Sequence, residues 1–409
     1  MYKTNPHFLL TVDVEDWFQV ENFKSYIPYA TWDSRELRVE RNTHRLLDLF
    51  DEAGAGSEER GARSGEGPKS GSWEEGKLGA WSFEQGAKNE ELRLGRSEAW
   101  KKKPMAHRPS PIAYRLSTNK PSASENFYPV KSRSEHHHFT RDHRNERSGF
   151  HRANKTNSTG STTPSVRATF FILGWIASKL PGLVREIYSR GHEVASHGVN
   201  HHLCIDTTVD ALRKDLTDSK KLLENIIGDQ VCGYRAPSFS INDDIVKIIE
   251  DAGYLYDSSY NSFDKHGRYG KLSLNGFNKK GIAFRVSDNF YELPISNLTI
   301  NNSKLRINNW VLPWGGGGYF RLMPYVVFKK GIQRMLTQEN AYNFYLHPWE
   351  LDPDQPRVEK AAASLKFRHY VNLKSTADRI RIMLDDFRDC RFVSCREYLE
   401  ALKAKRSKL

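Results

Sequence analysis

Apolar residues come along this 409-residue chain in short buried-type runs, alternating with longer amphipathic stretches, and one long interval breaks the pattern. Phe8–Val12 predicts a short strand. Asn42–Ala53 carries Leu46, Leu47, Leu49 and Phe50 at helical spacing, with Gly54 as a C-terminal stop. Ala168–Leu173 (ATFFIL) predicts a second strand, followed by a helix over Lys179–Arg190, a strand over Glu193–Ser196, a helix over Val209–Ile227, a strand at Gly233–Tyr234 and a helix over Asn242–Ala252. Further short strands are expected at Leu255–Asp257, Tyr291–Pro294, Phe344–Leu346 and Arg391–Val393, with helices over Ser375–Phe387 and Cys395–Lys403. Alternation of strand and helix predicts an α/β fold built on a parallel sheet or barrel.

Residues 55–165 interrupt this order. They are rich in Gly, Ser, Glu, Lys and Arg, and their apolar residues follow no period. Such composition cannot bury enough apolar surface to order itself, so a disordered insertion is expected, flanked by residues 1–54 and 166–409 of one folded domain. The interval holds 20 Lys+Arg against 13 Asp+Glu, or +7 of the formal net charge of +12. Its basic residues are scattered among acids, which is not the pattern of a nucleic-acid-binding face. His136, His137 and His138 lie within it and read as part of a solvated tract. The mean hydropathy of −0.68 and the 38% hydrophobic content agree with a folded part and a polar part. Four cysteines without a CxxC pair do not make a disulfide framework. With no signal-peptide pattern and no apolar run of membrane-spanning length, the expectation is a cytoplasmic protein.

Chemistry-bearing residues recur at one topological position, the end of a short strand. Asp13 and Glu15 follow Phe8–Val12, His197 and His201 follow Glu193–Ser196, and Arg235 follows Gly233–Tyr234. Asp257 ends Leu255–Asp257, and His347 follows Phe344–Leu346. In a parallel barrel the carboxyl ends of the strands converge on one face, where barrel active sites lie. His197 and His201, four apart, are one helical turn from each other if the segment is helical. Two imidazoles and a carboxylate with one open position form the ligand set of a catalytic metal, most often zinc, that activates water. Strand alternation puts Glu15 on the same side as Asp13 and makes it the expected carboxylate ligand, with Asp16 as the alternative.

Seven segments together resemble the NodB-type polysaccharide deacetylases of carbohydrate esterase family 4. They are Thr11–Phe18 (TVDVEDWF), Arg167–Leu173 (RATFFIL), His192–His202 (HEVASHGVNHH), Tyr234–Ser240 (YRAPSFS), Tyr256–Ser259 (YDSS), Leu312–Arg321 (LPWGGGGYFR) and Tyr345–Glu350 (YLHPWE). The DVEDWF start, the glycine-rich segment and a C-terminal extension from about residue 298 are similar to the branch found in exopolysaccharide gene clusters. The resemblance implies a distorted (β/α) barrel. It implies that Asp13 is the general base, that His197 and His201 hold a divalent metal, and that Arg235 pairs with Asp13. It further implies that His347 is the general acid for the departing amine, with Asp257 holding it protonated. Backbone N–H groups after Pro237, near Ser238 and Phe239, are candidate oxyanion donors. Trp310, Trp314 and Trp349 are candidate sugar-stacking residues, and Gly315–Gly318 a place where backbone approaches glycan. The family's usual pair of adjacent aspartates is replaced here by Asp13-Val14-Glu15-Asp16.

The implied function is metal-dependent removal of N-acetyl groups from an amino-sugar polysaccharide in exopolysaccharide synthesis, beside a membrane assembly. Two alternatives stay open: a small-molecule amide hydrolase on the same fold, and a glycan-binding protein whose catalysis the insertion has impaired.

Overall fold

A computed structural model describes residues 5–61, 166–263, 269–302 and 307–404. The expected insertion at 55–165 lies outside them from residue 62 onward, as do His136–His138. The chain runs through β1 (His7–Val14), α1 (Val39–Gly61), β2 (Ala168–Ile172), α2 (Gly174–Lys179), α3 (Pro181–Ser189), β3 (Glu193–Ser196), α4 (Val209–Ile227), β4 (Gly233–Tyr234), α5 (Asp243–Asp251) and β5 (Tyr256–Asp257). It continues through β6 (Asn278–Lys280), β7 (Ala283–Arg285), β8 (Tyr291–Glu292), β9 (Leu298–Asn302), β10 (Ile307–Leu312), α6 (Gly317–Leu322), α7 (Tyr325–Glu339) and β11 (Ala341–Leu346). Last come α8 (Ala363–Tyr370), α9 (Thr376–Asp386), β12 (Arg391–Phe392) and α10 (Cys395–Ala404).

Seven strands run parallel in the order β11-β1-β2-β3-β4-β5-β8, with β7 and β6 added antiparallel beyond β8. Beyond β8 the chain turns back toward β11. Ser296 N donates to Asn343 O (3.1 Å), Asn343 N donates to Ser296 Oγ (2.9 Å), and Asn343 Nδ2 donates to Pro294 O (3.0 Å). These bonds draw the two ends of the parallel sheet together into a distorted barrel. β12 pairs with His7 and Phe8 at the start of β1.

Alternation along β1 explains what each side holds. Phe8, Leu10, Val12 and Val14 join the larger core under the helices, whereas Leu9 joins a smaller core with Phe171, Ala195, Cys232 and Leu293 inside the barrel. Thr11 and Asp13 share the phase of Leu9, so they continue the inner face toward the carboxyl end. That end is where the loops after β1, β3, β4 and β11 meet.

Several boundaries differ from the sequence expectation. β1 is longer than Phe8–Val12 and includes Asp13. Pro181 starts a new helix, so Lys179–Arg190 is split between the end of α2 and α3. Helix α7 was not anticipated, although Phe328, Ile332, Met335 and Leu336 give it a regular buried stripe. The hairpins β6–β7 and β9–β10 were also not anticipated. They are short and partly polar, so their strand signal is weak.

Candidate active site

At the carboxyl end of the barrel the strand-end residues gather around a cavity of about 290 Å³. Its lining includes Asp13, Glu15, His201, Ser238, Phe239 and His347. Glu15 Oε1 lies 2.9 Å from His197 Nε2 and 2.9 Å from His201 Nε2, and all three side chains are buried. They are a group with metal-ligand spacing among the described residues. The tautomer of His197 tests whether a cation fits. His197 Nδ1 is 2.7 Å from Arg235 O, a carbonyl that only accepts, so Nδ1 carries a hydrogen, and in the neutral ring Nε2 presents a lone pair. A lone pair facing a carboxylate oxygen is unfavourable unless a proton or a cation stands between them. Two imidazoles and one carboxylate suit a divalent ion of the zinc type. Burial disfavours the Glu15 charge, but His201 and His197 outweigh it and hold the carboxyl well below its usual range.

The histidine pair is not helical. It lies in the loop after β3, and Gly198 (φ 74°) and His201 (φ 56°) turn the backbone so that both rings meet Glu15. Asp16, the alternative ligand, is occupied elsewhere. Its Oδ2 accepts from Arg38 N (2.6 Å) and Val39 N (2.9 Å), its Oδ1 from Trp17 N (2.8 Å), and so it caps the start of α1. Glu21, unremarked in the sequence, stands 3.9 Å from His201 Nδ1.

Beside this group Arg235 Nη1 donates to Asp13 Oδ1 (2.7 Å) and to Thr11 Oγ1 (2.9 Å). Its remaining donors reach Ser258 O and Ser258 Oγ at 2.9 Å each, and its guanidinium lies over the Phe171 ring. Asp13 is thereby held by a fully buried cation with four hydrogen bonds. Across the cavity His347 Nε2 lies 3.9 Å from Asp13 Oδ2.

Glu350, and not Asp257, is the partner of His347. Glu350 Oε1 is 3.0 Å from His347 Nδ1 and accepts the His347 N–H at 3.0 Å. Burial opposes the His347 charge, but the Glu350 bond and the charges of Glu15 and Asp13 push it up to about 9. Glu350 lies three residues after His347 at the start of a helical turn, so its carboxylate reaches back to both the backbone and the ring of His347. Asp257 sits on β5, accepts from Ser259 Oγ (2.6 Å), and stands opposite Glu292 of β8. Burial raises both carboxyls, and the Asp257 charge raises Glu292 further. Through Ser259 Oγ, which accepts from Ala236 N (2.7 Å), Asp257 supports the loop after Arg235.

In that loop Ser238 (φ 51°) and Phe239 (φ 58°) are consecutive non-glycine residues in the left-handed region, a strain of roughly 1–3 kcal/mol each. Phe239 N–H is bonded to Ala236 O (2.9 Å), whereas Ser238 N–H has no protein acceptor among the described residues. Pro237 is buried and does not line the cavity.

The tryptophans are corrected by their packing. Trp314 is core: its Nε1 donates to Phe328 O (2.8 Å), its ring stacks on Phe328, and Gly331 makes room for it. Trp310 is on β10 and does not line the cavity. Trp349 does line it, but its ring is stacked on His347 and on His369, at 5.2 and 4.1 Å between centroids. It therefore braces the imidazole. The glycine run also serves packing. A Cβ on Gly315, Gly316 or Gly317 would collide with Ile295, Tyr345 or the Glu350 carboxylate, and only Gly318 has open space.

Residues 162–256 match the Polysaccharide deacetylase family model, and residues 258–400 match a model described as Domain of unknown function (DUF3473). The Peptidoglycan-N-acetylglucosamine deacetylase of Bacillus cereus is 33% identical over 87 residues, 21% of this chain and 40% of that protein. A Peptidoglycan deacetylase-like protein of Gibberella zeae is 31% identical over 98 residues, 24% of this chain and 29% of that protein. The matched segment thus spans less than half of either relative. The solved peptidoglycan deacetylase PdaC from Bacillus subtilis aligns with a TM-score of 0.30 at 16% identity, over 59% of this chain and 80% of that one. The chain is therefore similar to polysaccharide deacetylases over residues 162–256, and this segment is followed at residues 258–400 by one similar to a domain of unknown function.

Proposed function

We propose that this protein removes acetyl groups from N-acetylated amino sugars of a polysaccharide, by metal-dependent hydrolysis. The observation that carries the reading is the meeting, at one cavity, of the Glu15–His197–His201 group with Asp13 and His347. A divalent ion held by those three residues, zinc by donor type, would acidify water and polarise the acetamide carbonyl.

The protein's own groups divide the remaining work. Asp13, aimed by Arg235, takes the proton of the attacking water. The tetrahedral oxyanion that follows can accept a bond from Ser238 N–H. His347 presents Nε2 to the cavity because Nδ1 is tied to Glu350, and from Nε2 it protonates the departing nitrogen. Acetate and a free amino sugar leave.

We place this activity in exopolysaccharide synthesis in the cytoplasm, beside a membrane assembly. That placement rests on the DVEDWF and GGGGYFR segments, whereas the named relatives point to peptidoglycan as the competing substrate. None of the described helices is long and apolar enough to cross a membrane. The test is acetate release from N-acetylated oligosaccharides and from peptidoglycan, before and after chelation and with zinc restored. Turnover that survives chelation overturns the metal mechanism. Absence of acetate release from every N-acetylated glycan overturns the activity.

A further inference from the structure

Behind His347 lies a buried ion pair supplied by the C-terminal half of the chain. Arg321, at the end of α6, is 1% exposed and donates from Nε to Glu350 Oε2 at 2.7 Å. Its Nη1 donates to His369 O (2.9 Å) and Val371 O (2.7 Å), so the guanidinium is pinned from the opposite side by the end of α8. Glu350 is 1% exposed, and its other oxygen, Oε1, is the one bonded to His347. Gly317 opens the space for this carboxylate: a Cβ there would stand 2.4 Å from both of its oxygens. Burying two charges carries a desolvation cost large enough that apolar residues of the same shape are often equally or more stable. Closing a turn does not require that cost, because a neutral cap would do it. An arrangement that bears the cost and spends the free carboxylate oxygen on the acid's ring points to chemistry.

We propose that Arg321 and Glu350 are positioning residues for His347: the ion pair fixes the imidazole with Nε2 toward Asp13 and keeps a negative charge against Nδ1. This rests on the reading of His347 as the proton donor. It also gives the domain of unknown function a task, since Arg321, His347 and Glu350 all lie within residues 258–400. Burial opposes the Glu350 charge, but Arg321 and His347 hold the carboxyl below its usual range, so it stays an anion. The other charged and titratable groups around His347 among the described residues are Asp13 from β1, Glu15 just after it, His201 from the loop after β3, Tyr345 from β11 and His369 from α8. Asp13, Glu15 and Glu350 favour its protonated form, whereas His201 opposes it when charged.

The test reads His347 directly, without turnover. NMR titration of the isotopically labelled imidazole in the full chain should place its midpoint well above the ordinary value of roughly 6.5. Glu350→Gln should lower that midpoint by roughly one pH unit or more. Because that variant leaves Arg321 buried and unpaired, the double variant Arg321→Met/Glu350→Gln is measured beside it, with both charges gone and the shape kept. It should fold, show the same lowered midpoint, move the basic limb of kcat/KM to lower pH, and lose kcat more than it changes KM. A His347 midpoint that stays in place in both variants overturns the proposal. A shifted midpoint in a protein that releases no acetate from any glycan upholds the pairing and overturns the deacetylase reading instead.

Discussion

Arg235 and Asp13, 222 residues apart in sequence, meet at 2.7 Å inside the barrel, where Arg235 has no exposed surface. The contact defines Asp13 as an oriented carboxylate with one oxygen, Oδ2, left toward His347. Asp13→Asn retains an oxygen for Arg235 and removes the base. It should lower kcat by roughly 10²–10⁴-fold with little change in KM or metal content. Arg235→Met leaves a buried carboxylate unpaired and should cost roughly 3–5 kcal/mol of stability, read by urea denaturation.

Glu15 and Asp16 are neighbours with opposite fates. Incubated with zinc and dialysed, Glu15→Gln should retain less of the metal than the wild type by metal analysis, while the two metal-free proteins share one unfolding midpoint. Asp16→Asn should keep zinc at wild-type stoichiometry. It should lower stability by about 1 kcal/mol through the weakened cap on α1. The reverse pattern would make Asp16 the ligand.

The glycine run offers a paired test. Gly317→Ala drives a methyl into the Glu350 carboxylate and should cost about 1–3 kcal/mol, with activity reduced through the displaced His347 partner. Gly318→Ala meets nothing within 4 Å and replaces a helical glycine, so it should raise stability by about 0.4–1 kcal/mol. Thermal melts of the two variants separate these outcomes.

Part of the acid sensitivity should arise away from the cavity, at His192. Its Nδ1 accepts the Ala168 N–H (3.2 Å), and its ring packs against Phe50 and Phe170. Burial, with help from Arg190 and Arg167, lowers its pKa to about 4. The folded state therefore favours neutral imidazole. Its contribution to stability is complete above pH 6.5 and is lost as pH falls from there toward 4. By linkage about 2 kcal/mol should be gone by pH 5. Urea denaturation at pH 7.5 and pH 5 should show that loss in the wild type and a smaller one in His192→Gln. Equal losses would remove His192 as the cause.

Much of the site was readable because barrel strands announce their ends locally. The period-2 phase of β1 places Asp13 inward with Leu9 and Thr11, and the apolar runs of β2 and β3 mark where the loops begin. Helix α7 had the same kind of signal in Phe328, Ile332, Met335 and Leu336. Gly331 and the charged residues around it mask that stripe.

Sequence alone determined the strand–helix alternation, the strand ends that carry chemistry, and Glu15 as inward-facing, since periods of 2 and 3.6 are properties of neighbouring residues. Tertiary structure decided which groups meet. It sent Asp16 to the start of α1, Asp257 to Glu292, and Trp314 into the core, and it brought Arg321 to Glu350. Those pairings depend on how the sheet closes and on how far each backbone can approach. Glu15 and His197, 182 positions apart, touch only because β1, β2 and β3 lie side by side.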